Sequence, residues 1–320
     1  MSKVLTRLSA ALLGLALVAA GIAGAVRYGV TYWLYRGFPA PAAPATVVIV
    51  VPGGTRTVRV VPATVVETSL RSPALGGWAD PLYVVLPPGY VEHPWLRYPV
   101  LYLLHGNPGE PLNFLDAGDL LPVYEVLVAT RRVQPMIIVM PSGSKSFFTD
   151  EEWANGVQPG NAWETFVASD LVEYIDAHYR AIPAGSSRGI AGLSEGGYAS
   201  INIGLHHAGE FGLIESWSGY MTADDVPAIF GRRADLLSYN SPAFEAPRVA
   251  PRLRSHHVFV WFYDGTGDLF QTQNRLFSAE LARLGVRHEF QTVPGHHSWA
   301  LWRSMMSNSL IVASQHLSHG

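Results

Sequence analysis

The feature that most constrains this chain is one short turn, Gly192-Leu193-Ser194-Glu195-Gly196-Gly197. The run before it, Arg188-Gly189-Ile190-Ala191-Gly192-Leu193, reads as a buried strand. From Gly196 to His207 the chain reads as a helix. A strand that becomes a helix over a single serine needs small residues two before and two after it, because the two backbones come close there. This is the strand–turn–helix context of the G-x-S-x-G elbow. Such a turn lifts the Ser194 hydroxyl clear of the sheet, and the helix N-terminus favours negative charge developing beside it. A glycine-rich surface turn would meet the spacing alone, so the flanking strand and helix carry the reading.

Apolar strands alternate with amphipathic helices through the rest of the chain. Strands are expected at Val58–Val66, Leu82–Leu86, Val100–Leu104, Met136–Met140, Gly189–Leu193, Val258–Tyr263 and His288–Thr292. Helices are expected at Pro122–Thr130, Glu164–Tyr179, Gly196–His207, Gln271–Leu284 and Trp299–Gln315. The later strands are unbroken apolar runs, as in a mostly parallel sheet covered by helices on both faces. The first two or three strands have no helices between them and are expected to form an antiparallel edge. The 320 residues then divide into an N-terminal segment 1–27, a linker 28–46 and one α/β catalytic domain over 47–320.

In the N-terminal segment, Lys3 and Arg7 precede an uncharged run from Leu8 to Val26, and Arg27 follows. As a helix, this run would span roughly 28 Å, close to the hydrocarbon thickness of a bilayer. The leading positive charges favour a cytoplasmic N-terminus with the remainder exported. Tyr28, Tyr32, Trp33 and Tyr35 resemble an interfacial aromatic belt. A membrane anchor over residues 8–26 is the expectation. A signal peptide cut after the small-x-small site Ala23-Gly24-Ala25 is the alternative. Residues 37–46, rich in Pro and Ala, read as a stiff linker.

Composition removes several function classes. The net charge is -3 and no basic stripe is present, so no nucleic-acid partner is expected. With no cysteine, a disulfide framework, thiolate metal sites and a Cys nucleophile are all excluded. No H-E-x-x-H or comparable ligand spacing occurs, so no metal or other cofactor is expected.

A nucleophilic serine needs a base, and behind this elbow the partners follow in the order acid, then His. Of the 12 histidines, His296 and His297 sit between the last strand and the last helix, where the base belongs. His206 and His207 fall on the helix after the elbow, and His256 and His257 precede a strand. Pattern alone leaves His296 and His297 open. The acid should follow the strand Val258–Tyr263. Asp264 ends that strand and is suited to bracing the turn, whereas Asp268 lies deeper in the loop. Asp224 and Asp225 come too early in chain order. The oxyanion needs two backbone N–H donors. Glu195 supplies one. Asn107 supplies the other, in the His105-Gly106-Asn107 turn after an apolar strand. His105 is placed to line the site.

With these residues assembled, the chain resembles the esterase D and mycolyltransferase group of α/β-hydrolases over residues 65 to 310. The landmarks are Ser72-Pro73-Ala74-Leu75, Leu86-Pro87-Pro88-Gly89-Tyr90, Tyr102-Leu103-Leu104-His105-Gly106, and Met140-Pro141 running to Asp150. Further on come Trp163-Glu164-Thr165-Phe166, the elbow, and His297-Ser298-Trp299 with Trp302. The resemblance implies the α/β-hydrolase fold, Ser194 as nucleophile, His297 as base, Asp268 as acid, and Asn107 and Glu195 as oxyanion donors. His105, Trp163, Ser298 and Trp299 are the residues expected at the substrate. Three features set the chain apart from the mycolyltransferases. Glu195 stands where they carry Met, His105-Gly106 where they carry Asp-Gly, and cysteine is absent.

The implied activity is hydrolysis of carboxylic esters through an acyl-enzyme. Acyl transfer to a sugar or lipid hydroxyl is the alternative, since the same catalytic residues serve both. A non-catalytic envelope-binding module is the third reading. The expected partners are an ester or acyl-lipid substrate and, through residues 8–26, a membrane.

Overall fold

The computed structural model describes residues 42–146 and 149–319, together with Gly21. The run 8–26, apart from Gly21, and most of the 28–46 linker lie outside the described residues. Among the described residues no helix is long and apolar enough to cross a membrane.

Among the described residues, ten strands are formed. β1 (Thr46–Val51) and β2 (Gly54–Arg59) make a two-stranded antiparallel sheet of their own. The other eight are β3 (Thr64–Ser72), β4 (Trp78–Leu86), β5 (Val100–Leu104), β6 (Ile137–Pro141), β7 (Arg188–Leu193), β8 (Leu213–Trp217), β9 (Phe259–Gly265) and β10 (His288–Val293). They form one sheet in the order β10-β9-β8-β7-β5-β6-β4-β3. Pairing is parallel from β10 through to β6 and antiparallel for β6–β4 and β4–β3. The antiparallel edge expected from the sequence is thus β3 and β4.

The helices are α1 (Asn113–Asp116), α2 (Leu120–Ala129), α3 (163–178), α4 (Glu195–His206), α5 (Pro227–Phe230), α6 (Ala234–Tyr239), α7 (Pro242–Ser255), α8 (Gln271–Arg283) and α9 (Trp299–His316). Every residue of β5, β6, β7 and β8 is buried, which requires cover on both faces. One core gathers Trp163, Phe166, Ile201, Leu253 and Phe277 from α3, α4, α7 and α8. The other gathers Leu120, Tyr124, Trp302, Met306 and Leu310 from α2 and α9. The expected three-layer α/β architecture is therefore present.

Three details differ from the sequence reading. The single strand expected over Val58–Val66 is split between β2 and β3, which belong to different sheets. Pro62 lies in the break and has no N–H to give a ladder. β1, which begins at Thr46 directly after the Pro/Ala-rich stretch, was not anticipated. Finally, β8 and the helices α1, α5, α6 and α7 were not anticipated either. Glu215 interrupts the apolar pattern of β8. The strand buries it by pairing its carboxyl with the Ser309 hydroxyl and the Trp217 Nε1–H.

The strand order reverses between β5 and β7, because β6 lies on one side of this pair and β8 to β10 on the other. Open α/β sheets bind ligands outside the carboxyl ends of their strands at such a switch point. The turns after β5, β7, β9 and β10 carry Asn107, Ser194, Asp268 and His297.

Candidate active site

Ser194 alone makes the turn between β7 and α4, at φ 56° and ψ -120°. A non-glycine residue there is strained by on the order of 1–3 kcal/mol. Neighbouring backbone holds it. The Ser194 N–H donates to the Trp217 carbonyl at 2.9 Å, and the Tyr198 N–H closes the first helical turn onto the Ser194 carbonyl at 3.0 Å. Gly196 is required because α4 passes close under β5. A Cβ there would lie 2.0 Å from the Leu104 carbonyl oxygen.

His297 stands on the turn between β10 and α9. Its Nε2 lies 2.8 Å from Ser194 Oγ, and its Nδ1 lies 3.0 Å from Asp268 Oδ2. The ring is met edge-on by Phe270, with centroids 5.4 Å apart, and by Trp302 at 5.0 Å. Trp302 is fully buried, so one wall of the imidazole is fixed by the core. With the Nδ1 proton given to a carboxylate, Nε2 is left as an acceptor facing the serine hydroxyl.

The Asp268 side chain is wholly shielded from solvent. Burial alone would raise its pKa. The hydrogen bonds from His297 and from the Phe270 N–H, the latter to Oδ1 at 3.0 Å, outweigh burial and hold it below the ordinary value. Asp264, the rival acid, is the penultimate residue of β9 and is also fully buried. Burial pushes its pKa up to about 6, only partly offset by a hydrogen bond from the Thr292 side chain on the neighbouring strand. His296, the rival base, is exposed and makes only a 3.3 Å contact with the Gly267 carbonyl.

The turn after β5 lies against the elbow. A Cβ at Gly106 would meet Ser194 Cβ at 2.9 Å. Neither the Asn107 nor the Glu195 N–H is taken by a hydrogen bond within the described residues. The Asn107 side chain is engaged by the Asp150 carboxyl, which also accepts the Glu152 N–H at 3.1 Å. The Glu195 carboxyl is buried and faces Asp150, Glu152, Glu151 and Asp224. Burial and these like charges hold its pKa well above the usual carboxyl range. Burial likewise raises Glu152 to about 8, partly offset by the Tyr220 hydroxyl. Burial and mutual repulsion thus disfavour the charged form of both carboxyls, which limits the negative charge beside the point where an oxyanion would form.

The four residues expected at the substrate are placed unevenly. His105 is buried with both ring nitrogens engaged, to Gly106 and Gly143. Trp163 is fully buried against Trp153 and Phe166. Trp299 packs into the core against Phe114 and Trp302. Ser298 is half-buried at the start of α9, where its carbonyl accepts the Leu301 and Trp302 N–H groups. Among the described residues, no group of three or more His, Asp or Glu side chains is arranged to hold a metal ion. Phe270 was missed in the sequence because a lone aromatic in a loop carries no periodic signal. Trp153, whose contacts are described below, was missed for the same reason.

Comparison with known proteins finds similarity to esterases. The family described as "Putative esterase" matches residues 72–312. An esterase of Mycobacterium tuberculosis is 27% identical over 249 residues, 69% of this chain and 53% of that protein. The chain therefore spans about half the length of that relative. A diacylglycerol acyltransferase/mycolyltransferase of Mycobacterium leprae is 24% identical over 210 residues, 53% of this chain and 61% of that protein. A solved ferulic acid esterase superposes with a TM-score of 0.72 at 27% identity, covering 80% of this chain and 99% of that one. With the family match extending from the end of β3 into α9, the chain belongs to the esterase family so described.

Proposed function

We propose that this chain is a serine hydrolase of carboxylic esters. The observation that carries the reading is the unbroken hydrogen-bonded line from Ser194 Oγ through the His297 ring to Asp268, at a strained elbow beside two amides that no hydrogen bond takes among the described residues. His297 Nε2 takes the hydroxyl proton as Ser194 Oγ bonds to the ester carbonyl carbon. The carbonyl oxygen becomes the oxyanion and accepts the Asn107 and Glu195 N–H groups. Asp268 stabilises the imidazolium through Nδ1–H. As the tetrahedral intermediate collapses, the imidazolium gives its proton to the departing alkoxide, leaving an acyl-serine and an alcohol. Water then attacks the acyl carbon and His297 takes its proton. The second collapse returns that proton to Ser194 Oγ and releases the acid.

The test is a pre-steady-state assay with p-nitrophenyl esters of increasing acyl length. The expected result is a burst of p-nitrophenol stoichiometric with protein, lost in Ser194→Ala. Turnover that persists in Ser194→Ala contradicts the reading. The similarity to mycolyltransferases favours a second reading, in which an alcohol replaces water in the second half-reaction. Adding a sugar or long-chain alcohol acceptor and measuring ester against free acid separates the two. The apolar run 8–26 supports an exported enzyme held at a membrane, or secreted if cleaved after Ala25. Recovery in the membrane fraction, as against a mature N-terminus at Val26 in the medium, distinguishes these.

A further inference from the structure

The segment that follows β6 folds back against the turn that carries Asn107, and its contacts converge on His105. The Gly143 N–H donates to His105 Nε2 at 2.9 Å. That bond makes Nε2 the acceptor, so the ring proton sits on Nδ1, from which it donates to the Gly106 carbonyl at 2.9 Å. Burial lowers the pKa of His105 to about 4, so the neutral ring persists through the physiological range. The Trp153 Nε1–H donates to the His105 carbonyl at 3.2 Å, and its indole meets the imidazole edge-on at 5.2 Å.

Trp153 is itself held. It and Glu152 both take a left-handed backbone, at φ 50° and φ 51°. The indole lies so close to Gly143 that a Cβ there would approach the ring to 2.4 Å. The Tyr220 hydroxyl clamps Glu152 from the other side at 2.7 Å.

The consequence follows from the planarity of the peptide unit. The Gly106 carbonyl and the Asn107 N–H belong to the same trans peptide plane and point in opposite directions. Whatever fixes that carbonyl therefore fixes the direction of the N–H. We propose that His105 is a positioning residue for the oxyanion hole: its Nδ1–H holds the Gly106 carbonyl and so aims the Asn107 N–H, while Gly143 and Trp153 fix the imidazole in turn. The inference rests on the serine-hydrolase reading above. It assigns His105 no contact with substrate, because both ring nitrogens are already used.

Three variants test it: His105→Phe keeps a ring but loses both nitrogens, His105→Asn keeps an amide N–H within reach of the Gly106 carbonyl, and Trp153→Phe removes one N–H. The readouts are kcat and KM on a short p-nitrophenyl ester, the thermal midpoint, and Ki for a trifluoromethyl ketone, whose serine adduct bears the oxyanion. His105→Phe should lower kcat by about 10² to 10³-fold, the usual cost of losing one oxyanion donor, with KM within about twofold. Its Ki should rise in the same proportion. His105→Asn should recover at least about tenfold of that loss, and Trp153→Phe should show a loss of about tenfold.

A folded His105→Phe with unchanged kcat, with a loss in KM alone, or with unchanged ketone affinity overturns the inference. Should His105→Phe not fold, Trp153→Phe decides, and wild-type kcat and Ki there overturn it. A wild-type protein inert towards both ester and ketone overturns the hydrolase reading and the inference with it. An active wild type with indifferent variants overturns only the inference.

Discussion

The end of β9 and the loop just beyond it each hold one buried carboxylate, and their surroundings differ. Asp264, within the strand, is met by the Thr292 side chain of the neighbouring strand and by no imidazole, and burial pushes its pKa up to about 6. Asp268, in the loop, is equally shielded yet lies below its ordinary value, because His297 and the Phe270 N–H both donate to it. Burial disfavours a carboxylate in either place. Only where a loop brings donors to it can the charge persist beside an imidazole that must itself become charged. A strand position fixes a side chain by the pleat and leaves it facing whatever the neighbouring strand presents. The loop has freedom to wrap the carboxylate.

The largest effect that would break this contrast is at the shared partner. His297→Ala should lower kcat by about 10⁵-fold or more, measured with a p-nitrophenyl ester, since loss of the base disables the whole catalytic unit. Next, Asp268→Asn should cost about 10³ to 10⁴-fold in kcat with a near wild-type thermal midpoint. Adding it to His297→Ala should cost little more, because the members act as a unit. Asp264→Asn should change kcat by less than about tenfold, since its carboxylate supports no imidazole. If Asp264→Asn were the dead enzyme and Asp268→Asn nearly intact, the assignment of the acid would be reversed.

The smallest expected effect is on stability against pH, and its sign differs between the two residues. Asp264 binds its proton more tightly folded than unfolded, so its contribution is full below its ordinary value of 3.8 and is lost as pH rises through about 6. Asp264→Asn should therefore flatten the fall in thermal midpoint between about pH 4 and pH 6. Asp268 is shifted downwards, so its contribution is present above its ordinary value of 3.8 and is lost as pH falls through the lower folded value. Asp268→Asn should flatten only the acid side, below about pH 4. Thermal scans across pH 3 to 8 separate the two slopes, and identical profiles in the two variants would remove the distinction.

The elbow was legible in the sequence because it is local. Strand, turn and helix are contiguous, and a Cβ at Gly192 would lie 2.3 Å from the Gly196 carbonyl oxygen, a constraint that spans only four residues. The carboxylate and imidazole that the structure lines up with Ser194 follow it in the chain order expected. The choice of His297 over His296 needed the resemblance carried by His297-Ser298-Trp299 with Trp302, because adjacent residues share one pattern, and that of Asp268 over Asp264 leaned on the family match at the end of the Gly265-Thr266-Gly267-Asp268 loop. Other parts of the fold depend on partners distant in sequence. β8 was hidden by Glu215, whose burial depends on Ser309 nearly a hundred residues later. α7 was hidden by Pro247 and Pro251, which sit inside a helix that propensity argues against. Trp163 and Trp299 belong to motifs near the site, yet the side chains serve the core. A motif marks position along the chain and leaves open which way a side chain faces.

The central claim is that Ser194 is the activated nucleophile, and the most direct measurement maps a covalent adduct. Incubation with a fluorophosphonate, digestion and tandem mass spectrometry should place one phosphonyl group on Ser194, with labelling strongly slowed in His297→Ala. An adduct on any other serine, or labelling of Ser194 at the same rate without His297, would contradict it.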